Sequence, residues 1–391
     1  MAVEEGQIEA DRVTVEDDVI LQPGSVIRGS EVVLRRGTQI GRDVEIVCDS
    51  LELGAGCRIG DKSRIVSPEI TLGEGCTIGS AFEAELNEYF RLGRRSNLGK
   101  RVAVVGQGMQ SGEFLWLKDD VVVGGGGARG PRSYFTVGDQ SSVFDRCYIN
   151  LSEEVTMGSG SALSSNVVLL THGAWQPALM GFRTSFAPIS IGDYSVVYLN
   201  SIVMPGVKIG SYSTVGAGSL LLSDVPDHCL AAGSPARIIK GPEGYPTPLD
   251  EAGIDALIDE ALIDYLTTLP GKGVRVVSVA PNSRSFTVEL NGRRETLLYI
   301  PLLGHAASAE DEESEPTTIL IAHGSGAKVN DDCCFFDLKS ETVTGELTPL
   351  AEDLRDYFRR RAIRFFTGSP FKTLPLANLQ RLKARCGRKA P

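Results

Sequence analysis

ISIGDYSVVYLNSIVMPGVKIGSYSTVGAGSLLLSDVPDHCLAAGSPARIIK, residues 189–240, repeats every six residues. A branched aliphatic recurs at Ile191, Val197, Val203, Ile209, Val215 and Leu221. Four places after most of them comes a small residue or valine: Ser195, Ser201, Val207, Ser213 and Ser219. A period of six matches neither the 3.6 of a helix nor the 2 of a plain strand. It matches one flat side of a triangular coil with three sides per turn, the aliphatic inside and the small residue at the corner.

The pattern extends upstream. Leu53, Ile59 and Ile65 follow it, as do Leu72 and Ile78, then Leu92, Leu98 and Val104. Val137, Val143 and Ile149 continue it, and after a slip of two come Met157, Leu163 and Leu169. Val13, Val19, Val26, Val33 and Ile40 drift by six or seven and predict weaker coils over 8–50. Cys57, Cys76 and Cys147 take the small corner position, which predicts buried thiols packed as small apolar groups. Each coil buries its aliphatics against its neighbours, so the stack needs many coils to be stable. The repeat specifies a fold and not a chemistry.

Interruptions mark where chemistry is expected. After Leu169 the period stops and resumes at 189–191; between them LTHGAWQPALMGFRTSFAP carries His172, Trp175, Arg183 and Phe186. Loops held on a rigid scaffold are common places for binding groups. AFEAELNEYF, beginning at 81, predicts a short helix, and 106–135 a further extrusion containing Gly124–Gly127. That glycine run has no following Lys-Ser/Thr, so it reads as a flexible excursion rather than a phosphate loop.

Residues 137–240 resemble the hexapeptide-repeat acyltransferases, and most closely the sugar O-acetyltransferases and xenobiotic acetyltransferases. The matching pieces are Thr171-His172, PGVKIG at 205–210, VGAGS at 215–219 and DVPDHCLAAGSPARIIK at 224–240. The resemblance implies a mainly β fold, a left-handed parallel β-helix with extruded loops. It also implies a homotrimer with sites between subunits, acetyl-CoA as donor and a histidine base. On it, His172 is the base and Asp145 an acceptor-binding or histidine-orienting group. Tyr148, Asn166, Trp175 and Arg183 contribute to the acceptor pocket. Leu199, Gly216 and Ala217 lie along the CoA arm, with Ser234, Arg237 and Lys240 at its phosphates. Tyr198 stands where the family usually has glycine, which leaves the length of the acyl group open.

A base within hydrogen-bond reach of the attacking hydroxyl or amine supplies roughly 10²–10⁴-fold in such reactions, and an imidazole, with an unperturbed pKa near ~6.5, suits that work at neutral pH. His228 falls at a variable position of the closing string, and His305 and His323 lie outside the repeat. With no close pair of histidines in the coil, a shared three-histidine zinc site is not expected. A carrier-protein thioester as donor, or a silent scaffold, are the competing readings.

The net charge of −11 argues against general nucleic-acid binding, and no apolar run is long enough to predict a membrane span. The acidic start MAVEEGQIEADR lacks a secretory h-region, and the eight scattered cysteines, Cys333 and Cys334 adjacent, read as a reducing, cytoplasmic setting. Past the β-helix (1–240), GPEGYPTP opens a linker (241–249), followed by a small α+β domain (250–391) of unknown role. In it EAGIDALIDEALIDYLTTL and LAEDLRDYFRRRAIRFF predict helices, and VRVVSVA, SFTVEL, ETLLYIPLL, TTILIAH and CCFFDL predict strands. AASAEDEESEP (306–316) and the basic end RLKARCGRKAP predict solvated, mobile segments.

Overall fold

The computed structural model describes residues 6–280, 284–302, 317–324, 333–365, 367 and 371–385. The chain divides into two compact units, Met1–Thr247 and Pro248–Pro391.

The first unit is mainly β, a left-handed parallel β-helix. One side is a 12-stranded ladder of short strands, parallel except for its last strand, Ala236–Lys240. In that ladder Ile40, Ile59, Ile78, Leu98, Leu117, Val143, Leu163, Val197, Val215 and Ala231 stack in register from coil to coil. None is more than 3% exposed. Each large aliphatic so buried contributes on the order of 1.5–3 kcal/mol. The other two sides join into a 17-stranded sheet because several strands bend round a corner without stopping, Glu83–Leu92 among them.

The corners show why small residues are required there. Ser63, Ser141, Ser195 and Ser201 each donate a hydroxyl to a backbone carbonyl of the next coil, at 3.2, 2.8, 2.5 and 3.0 Å. The Sγ atoms of Cys57, Cys76 and Cys147 reach the equivalent carbonyls at 3.1 Å, and all three thiols are buried. Burial pushes the Cys147 thiol up to about 11. Aspartates at the neighbouring position accept a backbone N–H from the coil before, as Asp193 does from Ser159 at 2.7 Å. A side chain at Gly158 would run into Asp193, its Cβ 2.6 Å from the Asp193 nitrogen.

Three expectations are corrected. AFEAELNEYF forms no helix: Glu83–Leu92 is a strand whose alternating Ala84, Leu86, Phe90 and Leu92 are buried. Over 106–135 the chain stays in the sheet as Ala103–Ser111, Trp116–Leu117 and Val122–Gly124, and only about 125–133 leaves it. In the first coils Ile27, Val32, Leu34 and Ile40 are the buried set, whereas Val13 is 47% exposed. Turns there run 19 residues, as from Ile40 to Ile59, and 18 later, as from Ile191 to Ile209, so a strict six-residue count slips.

The second unit is a six-stranded mixed sheet with helices α1 (Glu251–Thr268), α2 (Pro349–Arg360) and α3 (Ala377–Arg385). The order is Arg275–Ala280, Ser285–Leu290, Arg293–Tyr299, Thr317–Ala322, Cys334–Asp337 and Thr342–Thr344, with parallel pairs only in the middle. Asp250 and Thr348 cap α1 and α2 through their side chains. The basic end is not solvated coil throughout, since Arg381–Arg385 continue α3; 386–391 lie outside the described residues, as do 306–316. Asp353, fully buried, accepts from Lys272 Nζ (2.7 Å), Tyr265 Oη (3.0 Å), Thr373 Oγ1 (2.9 Å) and the Leu374 N–H (2.6 Å). No helix of the described residues is long and apolar enough to cross a membrane.

The corner geometry makes a sharp contrast. Gly158→Ala should destabilise the coil by about 2 kcal/mol or more, through overlap with backbone that has no room to shift. Gly37→Ala, with φ +71° but nothing within 4 Å, should cost only the ~1 kcal/mol of left-handed strain. Denaturant titration of both variants compares the two terms.

Candidate functional site

Stacking in register places the same edge of successive coils one above another. The ladder Val122, Tyr148, Val168, Ile202 lies on one side of the edge, and Phe135, Val155, Ile189 on the other. At that edge three consecutive coils carry the glycine-rich excursion (125–133), the tight corner after Tyr148–Asn150, and the long loop 170–188. Two segments that interrupt the repeat nearly forty residues apart are therefore two coils apart in space.

His172 opens the long loop in a two-residue antiparallel pair with Ser185–Phe186. Its Nδ1 lies 2.8 Å from Asn150 Oδ1 and 2.8 Å from Ser152 Oγ. Both are acceptors towards the ring. The Asn150 amide nitrogen donates to the Gly126 carbonyl at 3.0 Å, so its oxygen faces His172. The Ser152 hydroxyl donates to the same carbonyl at 2.7 Å, so its lone pairs face the ring. Thr171 Oγ1 adds a 2.7 Å hydrogen bond to Asn150 Oδ1 and itself accepts the Glu153 N–H. Two acceptors facing Nδ1 favour the tautomer with the proton on Nδ1 and the lone pair on Nε2.

Aromatic rings surround the imidazole. Phe186 stacks on it at 5.7 Å between centroids, and Trp175, 89% exposed, lies at 6.3 Å. Tyr148 projects outward from the coil beside Gly125. Arg183 is exposed in the same loop, without an ion-pair partner among the described residues. Leu179 and Met180, in the one-turn 3-10 segment Ala178–Met180, are also exposed.

The other named residues lie on a different corner of the coil. Asp145, Asn166, Leu199, Gly216 and Ala217 occupy the edge that follows the 12-stranded side. Asn166 is tied into that edge, accepting from Arg146 Nε at 2.9 Å and donating to Asn200 Oδ1 at 3.1 Å. Within one chain the histidine is oriented by Asn150 and Ser152, not by Asp145. Ser234, Arg237 and Lys240 are exposed on the closing hairpin Leu230–Gly233/Ala236–Lys240. His228 stacks on Tyr212 at 5.0 Å, and Tyr212 on Tyr194 at 5.3 Å, along a third corner. His323 follows the strand Thr317–Ala322, and His305 lies outside the described residues. Among the described residues no group of three or more His, Cys, Asp or Glu could hold a metal ion.

The sequence reading missed Asn150, Ser152 and the contact with the glycine run. A register count finds them: Asn150 is one coil and two residues before His172, so it lies directly beneath the loop.

Glu153, 5% exposed, is ion-paired to Arg132 at the end of the glycine-rich excursion. The guanidinium holds its carboxyl below the usual range, opposed by desolvation. Because the folded-state pKa is depressed, the pair stabilises above the ordinary glutamate value of ~4.3 and fades as the pH falls below it. Glu153→Gln should lower stability at pH 7 by about 1 kcal/mol, since Arg132 is largely solvated. The Tm gap to the wild type should close as the pH falls to about 3.

No protein-family model matches the chain. It is 32% identical over 119 residues to galactoside O-acetyltransferase of Escherichia coli (strain K12), covering 28% of this chain and 58% of that protein. It is 45% identical over 56 residues to 2,3,4,5-tetrahydropyridine-2,6-dicarboxylate N-acetyltransferase of Clostridium perfringens (strain SM101 / Type A), covering 14% and 24%. The chain spans about half the length of the curated relatives it matches first. Among solved structures it matches galactoside acetyltransferase in complex with coenzyme A at 24% identity over 36% of this chain and 66% of that one. The TM-score there is 0.29. By sequence, part of the β-helix of this chain is similar to these two acetyltransferases.

Proposed function

We propose that this protein is an acyltransferase, moving an acetyl group from acetyl-CoA to a hydroxyl or amine of a small polar acceptor such as a sugar or sugar nucleotide. The observation that supports it most is the environment of His172. A histidine whose Nδ1 is held between two acceptors, with no hydrogen bond to Nε2 among the described residues and an exposed loop around it, is arranged to take a proton. The acceptor X–H would give its proton to Nε2 as X attacks the thioester carbonyl. Collapse of the tetrahedral intermediate would break the C–S bond, and the imidazolium would return the proton to the CoA thiolate. No acyl-enzyme is needed.

In this reading the donor runs along the corner of Leu199, Gly216 and Ala217, with its phosphates towards Ser234, Arg237 and Lys240. Arg and Lys answer phosphate charge, and neither has an ion-pair partner among the described residues. That corner and the His172 edge are separated by one side of the triangle. A homotrimer, in which one copy's donor corner meets a neighbour's histidine edge, brings the parts together. Asp145 and Asn166 would then face the neighbour's site, and Tyr148, Trp175 and Arg183 would line the acceptor's approach. A reducing cytoplasm, in keeping with the free buried thiols of the described residues, is the matching compartment. The second unit would bind the acceptor or a partner.

Acetyl-CoA titrated calorimetrically into the full chain should bind at one site per chain, and free thiol should appear when an acceptor is supplied. His172→Ala should lose about 10²–10⁴-fold in turnover while still binding acetyl-CoA. Undiminished turnover in that variant overturns the proposed base. Absent acetyl-CoA binding with the oligomer intact points to a carrier-protein donor or a scaffold.

A further inference from the structure

The glycine run Gly124–Gly127 has a role that flexibility does not explain. Its backbone is pressed onto the next coil along the chain. A Cβ at Gly125 would overlap the hydroxyl of Tyr148, and one at Gly127 would overlap Ser152 Oγ. Both positions have φ near +84°, a conformation that favours glycine. These glycines allow close approach, and the close approach delivers one group, the carbonyl of Gly126.

That carbonyl receives both residues that hold His172: Asn150 Nδ2 at 3.0 Å and Ser152 Oγ at 2.7 Å. A carbonyl has two lone pairs, and here both are taken. The Gly124 carbonyl accepts the Leu151 N–H at 3.0 Å and lies 3.4 Å from Asn150 Nδ2. Without the Gly126 oxygen the Asn150 amide nitrogen loses its shorter acceptor and keeps only the 3.4 Å contact to Gly124, with Thr171 Oγ1 and the Ser152 N–H still donating to its oxygen. The Ser152 hydroxyl is equally freed to rotate and donate to Nδ1. Either change sets a donor against Nδ1 and shifts the imidazole proton towards Nε2, where it opposes proton abstraction. The excursion is itself anchored at several points. Gln107 Nε2 donates to the Gly130 carbonyl at 2.9 Å, Arg129 pairs with Glu85 at 3.0 Å, and Arg132 pairs with Glu153.

We infer that the glycine-rich excursion is a positioning element for His172, which through the Gly126 carbonyl turns Asn150 and Ser152 into obligate acceptors and so keeps the proton on Nδ1. The importance of that tautomer rests on the proposed role of His172 as base. The tautomer itself does not, and it is measurable with no donor or acceptor present.

The chain has only four histidines, so ¹⁵N-histidine labelling gives a readable spectrum, with His172→Ala supplying the assignment. At a pH where the ring is neutral, His172 in the full-length protein should show the Nδ1–H tautomer. Gly127→Ala keeps both orienting side chains but presses its Cβ on Ser152 Oγ, so it strikes the Ser152–Gly126 contact directly, and Arg132→Ala, which touches neither, must agree with it. Gly127→Ala should shift the ratio towards Nε2–H by about five- to tenfold, the equivalent of one neutral hydrogen bond. Gly173→Ala, adjacent to His172 with nothing within 4 Å of an added Cβ, should leave the ratio unchanged. If Gly127→Ala fails to fold, Arg132→Ala releases the end of the excursion at a largely exposed side chain and should move the ratio in the same direction. A folded Gly127→Ala or Arg132→Ala with the wild-type ratio overturns the inference, as does a wild-type protein protonated on Nε2. A chain that keeps Nδ1–H but transfers no acetyl group would overturn the proposed function and leave this inference standing.

Discussion

The parallel hydrogen bonding of one coil to the next is the constraint on which everything else depends. It fixes a constant vertical step, so a residue's neighbours are set by its place in the turn and not by its distance along the chain. The inward aliphatics stack because of it, and so do the corner serines and cysteines, each donating to a carbonyl one coil on. Corner residues must be small because the backbone of the next coil occupies the space a larger side chain would need.

The same constraint builds the site. An insertion at one corner does not disturb the stack, since the ladder resumes at the next strand: Met157 pairs with Ile191 across the whole of the 170–188 loop. Insertions at the same corner of nearby coils must then meet outside it. The glycine-rich excursion and the His172 loop do so with the Asn150–Glu153 corner between them. A buried polar network forms there, in which Asn150, Ser152 and Thr171 each have donor and acceptor satisfied. As these bonds run, the network sets two acceptors against the Nδ1 of His172.

Much of the fold was legible in the residues. The six-residue period identifies the coil because burial and corner crowding act on every turn alike. It slips where strands bend through a corner, as in Glu83–Leu92, whose charged and aromatic residues resemble a helical segment until pairing on both sides makes them a strand. In the second unit the helical stripe Ile258, Leu262 and Tyr265 was readable, whereas the buried Asp353 with its partners Lys272 and Tyr265 was not. Its charges are tolerated only because residues about eighty positions apart converge on one carboxylate.

Alone, the sequence determined the repeating architecture, the place where it breaks, and His172 as the histidine standing in that break, since each follows from local composition and spacing. Only the tertiary structure decided what holds that histidine and which of its nitrogens faces the acceptors. Asn150, Ser152 and the Gly126 carbonyl come from two different coils. Gly125 and Gly127, which read as slack in the sequence, are pressed against the next coil, because absence of a side chain permits either freedom or contact, and only the neighbouring coil determines which.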